Sequence, residues 1–246
     1  LSSVVLVALQ SAREKGRMAA GISFSSNLYQ NFGANAAVMY DFDAGSELKD
    51  KSANNITLTN SGGISIDGVN GKGFSFADNQ YAQTSNTSAL LPSGTNWTMA
   101  TWVKIDSGAI GKFRVILSFY YPYLGMREGK FGVGFSGNDI VSIIEPMNKS
   151  LNKWYFVVAT YSNTVRTTIL YVDGKEVSRL SSQTINVNNT KLGIGGDFGS
   201  TGIYSSNAYE CLCSVDDVRI YTESLSVAQI EKLYAEGVAT HSIVLK

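Results

Sequence analysis

The residues best able to do chemistry in this chain are few, and their spacing limits what they can do. Asp216 and Asp217 are adjacent within Ser214-Val-Asp-Asp-Val-Arg-Ile-Tyr221. A general acid and a nucleophile must approach one bond from the same cleft. Strand alternation sends neighbouring side chains to opposite faces, so this pair predicts no acid–base couple. His241 is the only histidine and lies near the end of the chain. That removes most catalytic triads and every histidine-rich metal site. Cys211 and Cys213 are the only cysteines. In an extended strand their Cα atoms would lie about 6.5–7 Å apart, at or beyond the edge of disulfide reach. Two free apolar thiols are the expected state, with a strained bridge as the alternative. Two ligands do not make a tetrahedral zinc site. The expectation is a protein that binds or packs and is not an enzyme.

Binding chemistry is better represented. Phe119-Tyr-Tyr-Pro-Tyr-Leu-Gly-Met-Arg127 reads as an aromatic loop carrying Tyr120, Tyr121, Tyr123 and Arg127. Phe198 and Tyr204 form a second aromatic group in another long loop. Aromatic rings stack on sugar faces and anchor protein interfaces, so these six are candidate ligand or subunit contacts. Packing as core or loop staples is the alternative.

Most of the chain reads as β-structure. Apolar residues make up 44% of the 246 and charged ones 16%, which excludes disorder. Formal net charge is zero, so no basic face is implied and nucleic acid is not expected as a partner. The lack of charge repulsion is a weak pointer to self-association. From residue 36 onward, β-branched and aromatic runs alternate with Gly, Asn, Asp and Ser clusters. The pattern predicts strands at 37–42, 55–58, 73–76, 81–83, 97–105, 114–119, 130–135, 139–144, 154–162, 167–172, 175–180, 191–195 and 211–221. Asp173-Gly174 is a two-residue hairpin signal. Strand 97–105 places Trp97, Met99, Thr101, Val103 and Ile105 on one face and Trp102 on the other. A short helix should follow from Leu225, capped by Ser224 or Ser226, with Val227, Ile230 and Tyr234 inward. Residues 36–237 are therefore read as one β-sandwich and 238–246 as a C-terminal tail.

The first 33 residues differ in kind. Leu1-Ser-Ser-Val-Val-Leu-Val-Ala-Leu9 is apolar all round, and a charged stretch, Gln10-Ser-Ala-Arg-Glu-Lys-Gly-Arg17, follows it. Met18, Ile22, Tyr29 and Phe32 then recur at helical spacing, and Gly33 is a plausible stop. One long helix is predicted over 1–33. Nine residues are too few to span a bilayer, which needs about 20. The chain begins at Leu1 and not Met, so it is expected to be a processed product or a fragment. Leu1-Ser-Ser-Val-Val-Leu-Val-Ala-Leu-Gln-Ser-Ala-Arg-Glu-Lys15 resembles the second half of the amino-terminal helix of type IV pilins and pseudopilins. That resemblance implies a bacterial surface filament, a homopolymer with Val4, Val5, Leu6, Val7 and Leu9 in its core. Membrane contact would come only through an upstream half of the helix.

The large domain resembles the laminin-G-like, concanavalin-A-like jelly rolls. The match is carried in order by five segments: Tyr40-Asp-Phe-Asp-Ala-Gly-Ser46, Gly71-Lys-Gly-Phe-Ser-Phe-Ala-Asp78, Trp97-Thr-Met-Ala-Thr-Trp-Val-Lys104, Asn152-Lys-Trp-Tyr-Phe-Val-Val-Ala-Thr-Tyr161 with Leu170-Tyr-Val-Asp-Gly-Lys175, and Ser214 to Tyr221. It implies two antiparallel sheets, a surface glycan or protein ligand, and a structural calcium as the one candidate cofactor. In that family the Asp/Asn-rich opening loop lies near the Asp-Asp-Val-Arg strand. Asp43, Asp50, Asn54 and Asp216 are therefore the nominated calcium ligands. Glycosidases of the wider superfamily carry Glu-x-Asp-x-x-Glu on one strand, and this chain has no such pattern. The leading expectation is a pilus or pseudopilus subunit displaying the sandwich. The alternative is a secreted or surface-anchored lectin-like module that forms no filament.

Overall fold

The computed structural model describes residues 33–85, 90–106, 113–136, 139–141, 152–182, 184–185, 187, 190–197 and 209–244. The chain divides into two units, Leu1–Asn35 and Ala36–Lys246. Of the first, only the 3-10 turn Gly33–Asn35 is among the described residues. Residues 1–32 of the helix expected over 1–33, with Val4, Val5, Leu6, Val7 and Leu9, lie outside them.

The second unit is a two-sheet sandwich. Sheet 1 takes β13 (Lys175–Leu180), β12 (Thr167–Val172), β11 (Trp154–Ser162), β6 (Trp97–Ile105), β15 (Cys213–Tyr221), β4 (Lys72–Phe76) and β3 (Ile64–Asp67) in that order, with β1 (Ala36–Tyr40) also paired to β15. Sheet 2 runs β10 (Asp139–Val141), β9 (Lys130–Ser136), β8 (Tyr123–Arg127), β7 (Phe113–Ser118), β14 (Gly193–Ile194), β5 (Tyr81–Thr84) and β2 (Leu58–Ser61). All of the strand pairings are antiparallel. The β-sandwich expected from the strand pattern is what forms, with the two antiparallel sheets that the resemblance implies.

The core lies between the sheets and follows the period-two pattern. Trp97, Met99, Val103 and Ile105 point into it, and Trp97 stacks on Tyr161 at 5.7 Å. Trp102 takes the opposite face, as its position in the alternation requires. There it meets the only α-helix among the described residues, α1 (Val227–Val244). The Trp102 ring stacks on Tyr234 at 5.7 Å and lies 5.2 Å from Phe156. A Cβ added at Gly237 would run into the indole of Trp102, so a glycine lets the helix approach there. Ser226 caps the helix. Its backbone N–H donates to Gln229 Oε1 at 2.8 Å, and Gln229 N–H returns to Ser226 Oγ at 3.4 Å, a capping box.

Several expectations change here. The helix does not stop at residue 237, and 238–244 continue it. Val227 is 46% exposed, not inward; it stands in the first turn, and Ile230 and Leu233 carry the burial. Strand β2 begins where the expected strand 55–58 ends, because the backbone before it closes the opening loop. Strand β3 was not expected. The aromatic segment 119–127 is a loop only as far as Pro122. Its second half is β8, with Leu124 and Met126 in the core. Glu128 and Gly129 both have positive φ, 52° and 74°, and form a two-residue turn into β9. Asp173 and Gly174, at 51° and 78°, do the same between β12 and β13.

Candidate functional site

The nominated calcium ligands separate into two groups, each used to hold backbone. Asp50 accepts the N–H of Met39 at 2.9 Å, Ser52 at 2.8 Å and Ile56 at 3.0 Å, which closes the loop after β1. Asn54 donates to the carbonyls of Ala37 at 2.9 Å and Ala36 at 3.2 Å. Asp43 and Asp216 serve another turn. Asp43 accepts Lys72 N–H at 2.9 Å. Asp216 is fully buried and accepts the N–H groups of Val69 at 2.7 Å, Asn70 at 3.0 Å and Asp217 at 2.7 Å. Among the described residues no group of three or more His, Cys, Asp or Glu stands in position to hold a metal. The four nominated residues therefore fall into two pairs at different loops: carboxylate oxygens of Asp43, Asp50 and Asp216 accept backbone N–H groups, and Asn54 spends its amide nitrogen on two carbonyls.

The face argument for Asp216 and Asp217 also needs correction. A bulge interrupts β15 between Asp216 and Arg219, and Asp217 has φ 48°, so plain alternation fails there. Neither carboxylate is left for acid–base work. Burial first, and the charge of Asp217 second, raise the pKa of Asp216 well above the carboxylate range. Asp217 pairs with Arg219 at 3.3 Å, and Arg219 reaches Glu236 of α1 at 3.6 Å.

Cys211 and Cys213 form a disulfide, contrary to the expected free thiols. The expectation assumed an extended chain. Leu212 instead has φ 45°, which draws the two Cα atoms to 5.1 Å, inside bonding range. The bridge sits at the end of a segment stitched to β7. Val115 N–H donates to Tyr209 O at 2.9 Å, Arg114 Nη1 to Glu210 O at 3.0 Å, and Cys211 N–H to Gly195 O at 2.9 Å.

That stitching builds the candidate site, a strip of rings on the outer side of sheet 2. Tyr120 and Tyr121 stand 4.3 Å apart, Tyr121 and Tyr123 6.0 Å, Tyr123 and Phe113 5.3 Å, and Phe113 and Tyr209 4.7 Å. Tyr123 lies across Gly134, where a Cβ would overlap its ring. Tyr123 and Phe119 are buried, and Phe119 is a core residue. Phe113, Tyr120, Tyr121 and Tyr209 are half-buried. Tyr120 is held at φ 67°, its N–H donating to Ser118 Oγ at 2.9 Å, and that hydroxyl donates to Asp197 Oδ1 at 3.0 Å. At the far end, Phe113, Arg127 and Lys130 stand in one cross-strand row.

Of the six candidate contacts, Tyr120, Tyr121, Tyr123 and Arg127 share this side of sheet 2, and Phe198 and Tyr204 lie outside the described residues. Phe113, Tyr209 and Lys130 were not anticipated. The Glu128-Gly129 turn between two alternating runs was a local signal for Lys130. The meeting of Phe113 with Tyr209 is tertiary and has no local signal.

Residues 76–231, well over half of the chain, match the family model described as the concanavalin A-like lectin/glucanases superfamily. The chain belongs to that superfamily. Among curated proteins none matches it in sequence. Solved structures share its fold at low identity. The binding domain of Paraclostridial mosquitocidal protein 1 aligns with TM-score 0.64 and 16% identity over 82% of this chain and 52% of that one. The botulinum neurotoxin serotype D binding domain aligns with TM-score 0.65 and 14% identity over 84% and 52%. The serotype D ligand-binding domain in complex with N-acetylneuraminic acid aligns with TM-score 0.63 and 15% identity over 84% and 52%. The chain thus spans about half the length of the solved structures it matches.

Proposed function

We propose that this chain is a lectin-like binding module, and that the aromatic strip on sheet 2 is where it takes a glycan. The observation that carries the reading is the unbroken run of five rings, drawn from a loop, two strands and a stitched segment, with four of the rings half-buried. Rings held in this way offer stacking area at little further loss of rotamer freedom on binding. Membership of a superfamily described by lectins, and similarity to toxin domains named for binding, support it. So does the neighbour solved with N-acetylneuraminic acid. The module works without a catalytic step: Asp216 and Asp217 are engaged in holding structure, and the glucanase-type carboxylate pattern is absent. An extracellular or cell-surface setting belongs to this reading.

The test is glycan-array binding by the full chain beside Tyr121→Ala and Tyr120→Ala. Binding that drops by about fivefold or more in either variant, with unfolding temperature nearly unchanged, is expected, since stacking of this kind is worth about 1 kcal/mol or more. Array binding that is indifferent to both tyrosines would remove the strip from the account.

The filament reading has its own motivating observation, the pilin-like Leu1 to Lys15 segment. It stands on that segment alone, so the binding module is the better-supported function. Electron microscopy of the protein expressed in its native cell checks it, with isolated monomers the outcome against a polymer.

A further inference from the structure

We infer that the glycan taken by this strip is acidic, its carboxylate or sulfate held by Arg127 and Lys130. The inference rests on the lectin reading above. It starts from an arrangement that is unfavourable for the protein alone. The two-residue turn at Glu128-Gly129 sets Arg127 and Lys130 directly opposite each other, so both cations project to one face. Like charges opposed across a strand pair repel. Among the described residues the compensation is slight. Arg127 Nε lies 4.0 Å from Glu128 Oε1, both side chains mostly exposed, and among the described residues no carboxylate forms an ion pair with Lys130. An exposed ion pair of that geometry contributes little.

The position of the cations is specific. Phe113 is the third member of the same cross-strand row and the fourth ring of the strip. A sugar stacked at Phe113 and Tyr209 would bring an anionic substituent beside Arg127 and Lys130. The guanidinium matches a planar carboxylate or a sulfate with two parallel N–H donors. The opposite end of the strip is neutral to acidic, with Asp197 behind Tyr120. The strip is therefore polar along its length, and an anionic group is favoured at one end only.

The experiment uses the full chain on an array carrying neutral glycans beside their sialylated, uronic-acid and sulfated counterparts. The strongest acidic hit is then titrated against its neutral counterpart at low and high salt, with the double variant Arg127→Gln/Lys130→Gln in parallel. Acidic glycans are expected to bind roughly tenfold or more tighter than neutral ones, the scale of one hydrogen bond to a charged group. That preference should vanish in the double variant and shrink at high salt. The carboxylate and sulfate arms identify which anion is preferred. Lys130→Gln should leave the unfolding temperature unchanged or slightly higher, because it relieves repulsion, so loss of binding will not reflect misfolding. Equal binding of neutral and acidic glycans, both weakened by Tyr121→Ala, overturns the acidic class and leaves the lectin reading intact. Acidic preference that survives the double variant overturns the assignment to these cations. Absence of all glycan binding overturns both.

Discussion

Each sheet carries a cluster of rings on its outer face, and the two clusters are finished differently. On sheet 1, Trp102 and Phe156 are 4% and 2% exposed because α1 lies over them with Tyr234. On sheet 2, Phe113, Tyr120, Tyr121 and Tyr209 keep part of their surface exposed. The covering helix includes features that serve only that cover. Gly237 sits in its interior, where glycine costs about 1 kcal/mol relative to alanine, and it is tolerated because Trp102 occupies the space a Cβ would need. Glu236, the residue before it, meets the half-buried Arg219. The difference separates rings that hold the fold together from rings presented to a ligand. Substitution on one face should cost stability, and on the other it should cost binding.

The largest effect should come from opening the sealed face. Trp102→Ala removes the ring on which Tyr234, Phe156 and Gly237 converge, and should cost about 3–5 kcal/mol, read by chemical denaturation. Gly237→Ala is the sharper probe. Helix propensity alone would stabilise it, yet the added Cβ collides with the indole, so a net loss is expected. Stabilisation by Gly237→Ala would mean that the helix is not seated on Trp102. Tyr121→Ala, the matched change on sheet 2, should shift the denaturation midpoint by much less.

A second effect is confined to the sealed face and depends on pH. Burial raises the pKa of Glu236 to about 7 from 4.5, against the opposing attraction of Arg219. The folded protein therefore holds this proton more tightly than the unfolded chain. Its contribution to stability is fully present below about pH 4.5 and is lost as pH rises through 7. Burial also raises Asp43 and Asp216, in the same sense. The unfolding temperature should fall between pH 5 and pH 8. Glu236→Gln should flatten the part of that slope nearest neutrality, and an unchanged slope would place the effect elsewhere.

How far the two faces could be read in advance also differs. Strand β6 was legible because its alternation is uninterrupted: Trp97, Met99, Val103 and Ile105 go inward and Trp102 goes outward. Asp173-Gly174 announced its hairpin through residues that accept positive φ. The Tyr120, Tyr121, Tyr123 and Arg127 members of the strip were legible as residue types. Their arrangement was not, because the contacts of these residues with Phe113 and Tyr209 join segments far apart in the chain. The calcium nomination followed the family resemblance, in which the Asp/Asn-rich opening loop lies near the Asp-Asp-Val-Arg strand. Asp50 and Asp216 satisfy buried N–H groups at two loops, a demand that local pattern does not reveal. The bulge at Asp216 and Asp217 and the left-handed Leu212 are departures from extended geometry, and periodicity cannot anticipate either.

The Cys211–Cys213 bridge should contribute only modestly to stability, and there the two faces should diverge most clearly. A bridge that closes a three-residue loop removes little entropy from the unfolded chain. The loop-closure relation gives about 1.6 kcal/mol. Reduction should therefore lower the unfolding temperature by roughly 3–6 °C for a domain of this size. The local consequence is larger, because the bridge pins the segment whose Tyr209 ring completes the strip against Phe113. Reduced protein should lose glycan affinity while the Trp102 and Tyr234 contact is retained, read by near-ultraviolet circular dichroism beside binding. A loss of both signals together would show that the bridge supports the whole sandwich; loss of neither would detach Tyr209 from the binding strip.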